Sequence, residues 1–232
     1  MSAGDRGGGQ VIPRPEGWRP GGPAPWTATR DAGPFALDAV IAAVTARTRS
    51  RDLARPDLDD APLFPDARPS AVLLALHDGP RGAEVVLTRR SRDLRRHRGE
   101  ISFPGGRLDD GESPEQGALR EAHEEVALDP ASVELVGRLS TLATVVSLSH
   151  IVPVVGRLQG RPELRPAAAE VERILHVPLV ELTEPGVFRE EHWGEGALER
   201  SIYFFELVDE TIWGATARIL AELLSVALGV TP

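Results

Sequence analysis

The chain has 232 residues, a formal net charge of −9 and no cysteine. Its length allows one sizeable domain with tails, and the missing cysteines exclude disulfides, thiolate catalysis and Cys-ligated zinc. The acidic balance argues against nucleic-acid binding, and the absence of any run of about 18 apolar residues argues against a membrane span. All 26 basic residues are arginine, which rules out Schiff-base lysine chemistry and a P-loop lysine. The N-terminus lacks the basic start and apolar core of a secretion signal, so the expected location is cytoplasmic.

Residues 1–34 are rich in Gly and Pro with isolated Trp residues, and read as a disordered or loosely docked tail. Leu37, Val40, Ile41 and Val44 recur at helical spacing and predict an amphipathic helix over 35–48. Prolines punctuate 55–69, a connector. Short branched apolar runs predict strands over 71–76 and 84–88, with Asp78-Gly79-Pro80 as the turn between them. A basic stretch, 89–98, leads to a short strand over 101–103 and then to Pro104-Gly105-Gly106.

The best-specified helix follows. Ser113 is a good N-cap, Pro114 suits the first helical position, and Gln116 completes a capping box. Ala118, Leu119, Ala122 and Val126 supply its apolar stripe. Further strands are predicted over 133–139, 150–157, 174–177 and 201–206. A short helical patch is predicted over 167–171, a helical turn over 178–183, and a helix over 213–228 with Ile219, Leu223 and Val226 on one face. Strands interleaved with a few helices make an α/β domain over 35–232, without an internal repeat.

Glu121, Glu124 and Glu125 crowd the last turns of the capped helix on an arc about 100° wide. Glu121 and Glu125 repel as a like-charge i,i+4 pair, by roughly 0.2–0.5 kcal/mol. Each carboxylate also opposes the helix dipole, by roughly 0.3–1 kcal/mol. A solvated acidic face is the ordinary fate of such a run. Penalties stacked at one spot also suit a divalent cation, and the loop before the helix shifts the balance that way.

The spacing Gly106-x5-Glu112-x7-Arg120-Glu121-Ala122-x-Glu124-Glu125-x-Ala127-Leu128 resembles the Nudix box, with Ala127 where the family has glycine. Glycine at a helix C′ position supplies positive φ; alanine there costs roughly 1 kcal/mol of local strain, or the helix runs on. The resemblance implies a Nudix hydrolase, an α/β/α sandwich with a central mixed sheet that cleaves a nucleoside diphosphate linked to another moiety. It implies Mg²⁺ or Mn²⁺ held by Glu121, Glu124 and Glu125. Arg120 would orient the site by pairing with a box carboxylate such as Glu112 or Glu124. The catalytic base stays open among these glutamates and residues outside the box. Glu170 and Glu172 lie where some Nudix enzymes carry an extra carboxylate.

A second resemblance lies upstream. Leu87, Thr88, Arg90, Ser91, Leu94, His97, Gly99 and Phe103 to Gly106 look like the signature that precedes the box in coenzyme A pyrophosphatases, and 212–220 is similar to the last helix of that subfamily. It implies hydrolysis of coenzyme A or acyl-CoA to 3′,5′-ADP and (acyl-)4′-phosphopantetheine. Guanidinium forks match phosphate oxygens, so Arg90, Ser91, Arg95 and His97 are expected at the substrate phosphates, with Gly105 and Gly106 bending the backbone beneath the helix. Another nucleoside diphosphate derivative, such as ADP-ribose or NADH, is the alternative substrate, and a non-catalytic nucleotide sensor is the rival of a different class. The expected partner is a small molecule, with neither nucleic acid nor membrane; the sequence leaves a homodimer open. His77, His123, His150, His176 and His192 show no H-E-x-x-H spacing and read as surface or satisfied residues. Trp193 and Tyr203 read as packing rather than as adenine stacking.

Overall fold

Residues 71–76 are buried on both sides of a strand: Ala71, Leu73 and Ala75 face one layer, Leu74 and Leu76 the other. A strand covered on both faces belongs in the middle of a sandwich. The structure, a computed structural model, describes residues 6–10, 12–27, 35–50, 67–94, 97–144, 148–196 and 199–230. Its elements begin with β1 (Gly7–Gly8), β2 (Arg19–Pro20), α1 (Leu37–Ser50), β3 (Arg68–Gly79), β4 (Gly82–Arg90), β5 (Ile101–Ser102), β6 (Gly105–Arg107) and α2 (Pro114–Val126). There follow β7 (Val133–Arg138), β8 (Leu142–Thr144), β9 (Ser149–Leu158), β10 (Val171–Pro178), α3 (Leu179–Leu182), β11 (Phe188–Trp193), β12 (Arg200–Glu206), β13 (Val208–Asp209), β14 (Thr211–Trp213) and α4 (Gly214–Leu228).

The central sheet runs β10-β4-β3-β9-β7, with β5 on β4, β6 on β3 and β8 on β9. β3 and β9 are parallel, while the β3–β4 and β3–β6 pairs are antiparallel, so the sheet is mixed. Ala118, Ala122 and Val126 of α2 pack on one face, against Ala71, Leu73, Ala75, Val86 and Val154. α1 and α4 cover the other face, where Val40, Val44, Leu220 and Leu223 join Leu74, Leu76, Val85 and Leu87. The architecture is therefore an α/β/α sandwich. A second sheet, β14-β12-β11-β2, extends it.

Several expectations are corrected. The patch over 167–171 is a single turn, closed by the Glu170 and Val171 amides on the Ala167 carbonyl, and not a helix. Of the connector, residues 55–66 lie outside the described ones, and Arg68 and Pro69 already belong to β3. The described parts of the N-terminal segment are docked: β2 pairs with β11, and Trp26 is buried against Phe188 and Phe205. Strand β11 went unpredicted because Arg189, Glu190 and Glu191 interrupt its apolar pattern. Glu191 is nonetheless buried, paired with Arg189 and Arg14 and accepting the Trp193 indole N–H at 2.7 Å.

Candidate active site

One edge of β3 is shared. Its start, Ser70 to Val72, pairs with β6, and its end pairs with β4. The Leu73 amide holds the Pro104 carbonyl at 2.8 Å, which pins the chain as it turns into β6. Gly105 (φ 157°) has no room for a side chain: a Cβ would lie 2.4 Å from the Ala71 carbonyl oxygen. At Gly106 a Cβ would lie 2.4 Å from a Glu121 carboxylate oxygen. The two glycines thus let the backbone pass directly under the acidic face of α2.

The helix begins as its sequence dictates. Gln116 N–H donates to Ser113 Oγ at 3.2 Å, and Ser113 N–H donates to Gln116 Oε1 at 2.9 Å, with Pro114 at the first position. It ends at Ala127, which adopts the left-handed conformation (φ 55°, ψ 30°). Its amide reaches the His123 carbonyl at 2.9 Å and the Leu128 amide reaches that of Ala122 at 3.3 Å. Of the two outcomes open at this position, the chain takes local strain and the helix stops.

Arg120 is the hub of the acidic face. Its Nε and Nη2 form a fork on Glu112, at 2.9 and 3.0 Å. Its Nη1 reaches Glu121 at 2.9 Å and Glu124 at 3.2 Å, and Nη2 also donates to the Arg107 carbonyl at 2.9 Å. The fork, helped by the Asp109 amide, holds the Glu112 carboxyl below its usual range, and Glu112 and Glu121 raise the Arg120 pKa against the effect of burial. Glu121 is pushed upward by burial, partly offset by Arg120, with Glu124 and Glu170 adding repulsion.

Glu125 stands apart from this network. It is 4% exposed, accepts the Gly105 N–H at 3.2 Å, and has Arg90 Nη1 3.6 Å away. Burial pushes its pKa up to about 7, opposed by the Gly105 amide and Arg90 and reinforced by Glu121 and Glu170. Among the described residues the carboxylate oxygens of Glu121, Glu124 and Glu125 do not gather within 4.8 Å of one another. Arg120 draws the first two to itself while Glu125 turns to the β6 backbone.

The upstream motif is divided. Arg90 lies against Glu125, and its buried Nε has no acceptor among the described residues. Ser91 is spent locally, its hydroxyl accepting the Asp93 amide at 3.2 Å and its own amide donating to the Glu170 carbonyl at 2.8 Å. His97 Nδ1 is 2.8 Å from Glu100 Oε2. Arg95 lies outside the described residues. Among the described residues of the basic stretch, Arg89 binds Glu210 at 2.8 Å and Glu172 at 3.1 Å, and Arg92 sits 3.8 Å from Glu172. Glu170 faces Glu121 and Glu125 closely enough to repel both, whereas Glu172 points to the arginines. The Gly105 amide, the closest partner of Glu125, carries no side-chain signal that sequence reasoning could use.

The donor set fits a hard divalent cation. Glu112, Glu121, Glu124, Glu125 and Glu170 outnumber Arg90 and Arg120, which leaves the face rich in carboxylate oxygens. Oxygen donors of this kind suit Mg²⁺ or Mn²⁺.

The sequence pattern of the NUDIX domain matches residues 67–198, which contain β3, the glycine turn and all of α2. The uncharacterized Nudix hydrolase NudL of Shigella flexneri is 34% identical over 181 residues, covering 78% of this chain and 92% of that protein. The chloroplastic Nudix hydrolase 22 of Arabidopsis thaliana is 35% identical over 174 residues, covering 72% of this chain and 57% of that one. A MutT/nudix family protein from Enterococcus faecalis, known from its crystal structure, is 16% identical with a TM-score of 0.47, covering 71% of this chain and 68% of that one. With the family pattern spanning more than half its length and a relative matched almost end to end, the chain belongs to the Nudix family.

Proposed function

We propose that this Nudix pyrophosphohydrolase cleaves the pyrophosphate of coenzyme A or acyl-CoA, giving 3′,5′-ADP and (acyl-)4′-phosphopantetheine. The observation that carries the reading is where the upstream motif ends. Its described residues include the end of β4, β5 and the start of β6, and two of them, Arg90 and Gly105 through its amide, close on Glu125. The motif that resembles the coenzyme A signature is thus one wall of the acidic site.

In this reading Glu121, Glu124 and Glu125, with Glu170 beside them, hold Mg²⁺ or Mn²⁺. The ion's contribution when bound is neutralisation of charge on the phosphate oxygens and activation of water. Arg120 keeps Glu121 and Glu124 aligned through its fork on Glu112. Arg90, buried on one side and without an acceptor at Nε among the described residues, meets a substrate phosphate oxygen. Glu125 holds or releases a proton near neutrality. The gap that Gly106 leaves beneath Glu121 keeps the carboxylates close to the backbone turn.

The test is product analysis by mass spectrometry, with coenzyme A, Mg²⁺ and H₂¹⁸O. The expected result is 3′,5′-ADP and 4′-phosphopantetheine with a single ¹⁸O in one of them. ADP-ribose exceeding coenzyme A by roughly tenfold or more in kcat/KM would move the specificity elsewhere in the family. Binding of a nucleotide without product over hours would leave a sensor and no enzyme.

A further inference from the structure

Away from the acidic face of α2, three metal-ligating side chains meet under the sheet. His77 on β3 and Glu84 on β4 are direct cross-strand partners, and His176 on β10 lies diagonally across β4, opposite Val86. All three project to the α2 side of the sheet, whose neighbours there are Ala75, Val86 and Ile174. His77 is fully buried and Glu84 is 4% exposed. His77 lies five positions along β3 from Val72, the partner of Gly105, a distance of about 17 Å along the strand.

The cluster is set up as metal ligands are. His77 Nδ1 lies 2.9 Å from the Asp78 carbonyl oxygen, which can only accept, so Nδ1 carries the proton and Nε2 presents a lone pair. A second-sphere carbonyl that fixes the tautomer in this way is the usual companion of a ligating histidine. Nε2 points at the other two groups, 2.7 Å from His176 Nδ1 and 3.8 Å from Glu84 Oε2. The ligand atoms of the three residues all lie within 4.8 Å of one another, the one such group among the described residues. Gly79 makes space for the carboxylate, since a Cβ there would lie 2.2 Å from Glu84 Oε1. Arg161 Nη1, 3.3 Å from Glu84, covers the group from the solvent side.

We propose that His77, Glu84 and His176 form a second metal site, for Zn²⁺ or a similar borderline divalent ion, distinct from the acidic face of α2. Two imidazoles and one carboxylate are a three-ligand set that zinc accepts tetrahedrally with a fourth position left for water. Nitrogen donors select it against Mg²⁺, which prefers oxygen alone. Ligand atoms around a tetrahedral zinc sit about 3.3 Å apart, so the two rings need to part by only about 0.6 Å. The ion would clamp the β3–β4 hairpin to β10, the strand that leaves the Glu170 turn beside Glu125. The alternative is a self-sufficient polar cluster in which His176 donates to His77 and Arg161 neutralises Glu84.

The experiment is calorimetric titration of the metal-stripped full chain with Zn²⁺ in a large excess of Mg²⁺, with elemental analysis of the washed protein. The expected result is one equivalent of zinc, and Co²⁺ in its place gives the visible absorption of a tetrahedral centre. His176→Gln, at the least buried of the three, weakens zinc binding by about 100-fold or more, and Glu84→Gln, checked for folding by circular dichroism, does the same. Glu125→Gln leaves zinc binding unchanged. The proposal is overturned if the wild-type chain takes up no zinc under these conditions. It is equally overturned if uptake survives both His176→Gln and Glu84→Gln, or depends on Glu125 instead. None of these readouts requires pyrophosphatase activity, so the outcome is independent of the substrate reading above.

Discussion

Glu125 is a carboxylate kept where charge is least welcome, and that cost marks it among the glutamates of α2. Glu112 and Glu121 lean on Arg120, and Glu124 is largely solvated, but Glu125 has one backbone amide and a guanidinium 3.6 Å away. Glu125→Gln keeps the shape and removes the charge. The expected outcome is a loss of about 10³-fold or more in kcat, the scale of deleting a group that faces developing charge. The melting temperature should stay level or rise, because the variant no longer buries a group that resists ionisation there. Steady-state kinetics beside calorimetric melting reads both quantities. A variant that melts early yet turns over normally would make Glu125 a packing residue. The crowding of these glutamates on one face was legible in the sequence, because helical spacing alone dictates it. Which of them would be buried was not, since that depends on the distant pairing of β6 with β3.

Helix α2 is an element whose two ends make separate, opposite contributions. At the C-terminal end Ala127 occupies a left-handed conformation, which costs an L-residue about 1–2 kcal/mol. Ala127→Gly removes that strain but gives the unfolded chain back about 0.4–1 kcal/mol of entropy. The net expectation is stabilisation by about 0.5 kcal/mol, read from the urea midpoint at constant m; a lowered midpoint would mean that the cap is unstrained. At the N-terminal end Glu115, favourably placed for the dipole, pairs with Arg138 of β7 through two 2.7 Å bonds. Arg138 holds the Glu115 carboxyl below its ordinary value of 4.5. The folded state therefore binds this proton less readily than the unfolded one. The pair's stabilisation is complete above that ordinary value and disappears as pH falls through the folded pKa. Glu115→Gln should cost about 0.5–1 kcal/mol at pH 7, the range of a partly exposed pair, and the gap to wild type should close on acidification. A gap that stays constant from pH 7 to the acid limit would assign the effect to the helix cap. The capping box was legible residue by residue because it is local, whereas the Arg138 contact required knowing that β7 runs past the first turn.

On the scale of the whole molecule, the sandwich was legible wherever one rule governed a stretch. The alternation in β3 and β4 and the stripes of α1, α2 and α4 follow burial alone. Legibility failed where polar residues were buried in pairs, as in β11, and where single residues of a Gly/Pro-rich segment entered the core. Trp26 is the clearest case. Nothing around it repeats at 2 or 3.6 residues, yet it is 5% exposed, with its ring parallel to Phe205 at 6.2 Å and edge-on to Phe188 at 5.2 Å. It joins the larger of the two cores beside Phe35, Leu37 and Leu207, so the N-terminal segment and the C-terminal sheet share one apolar interior. Trp26→Ala should cost about 3 kcal/mol, the low end for emptying a buried aromatic site at the margin of a core. In a chain of this length each kcal/mol moves the melting temperature by about 2–4 °C, so the variant should melt roughly 6–12 °C lower. Because Trp26 packs on β11 and β12 rather than on α2, kcat at a temperature well below melting should stay near the wild-type value. A calorimetric scan with an unmoved midpoint would detach the segment from the core and return it to the loosely held tail that its composition suggests.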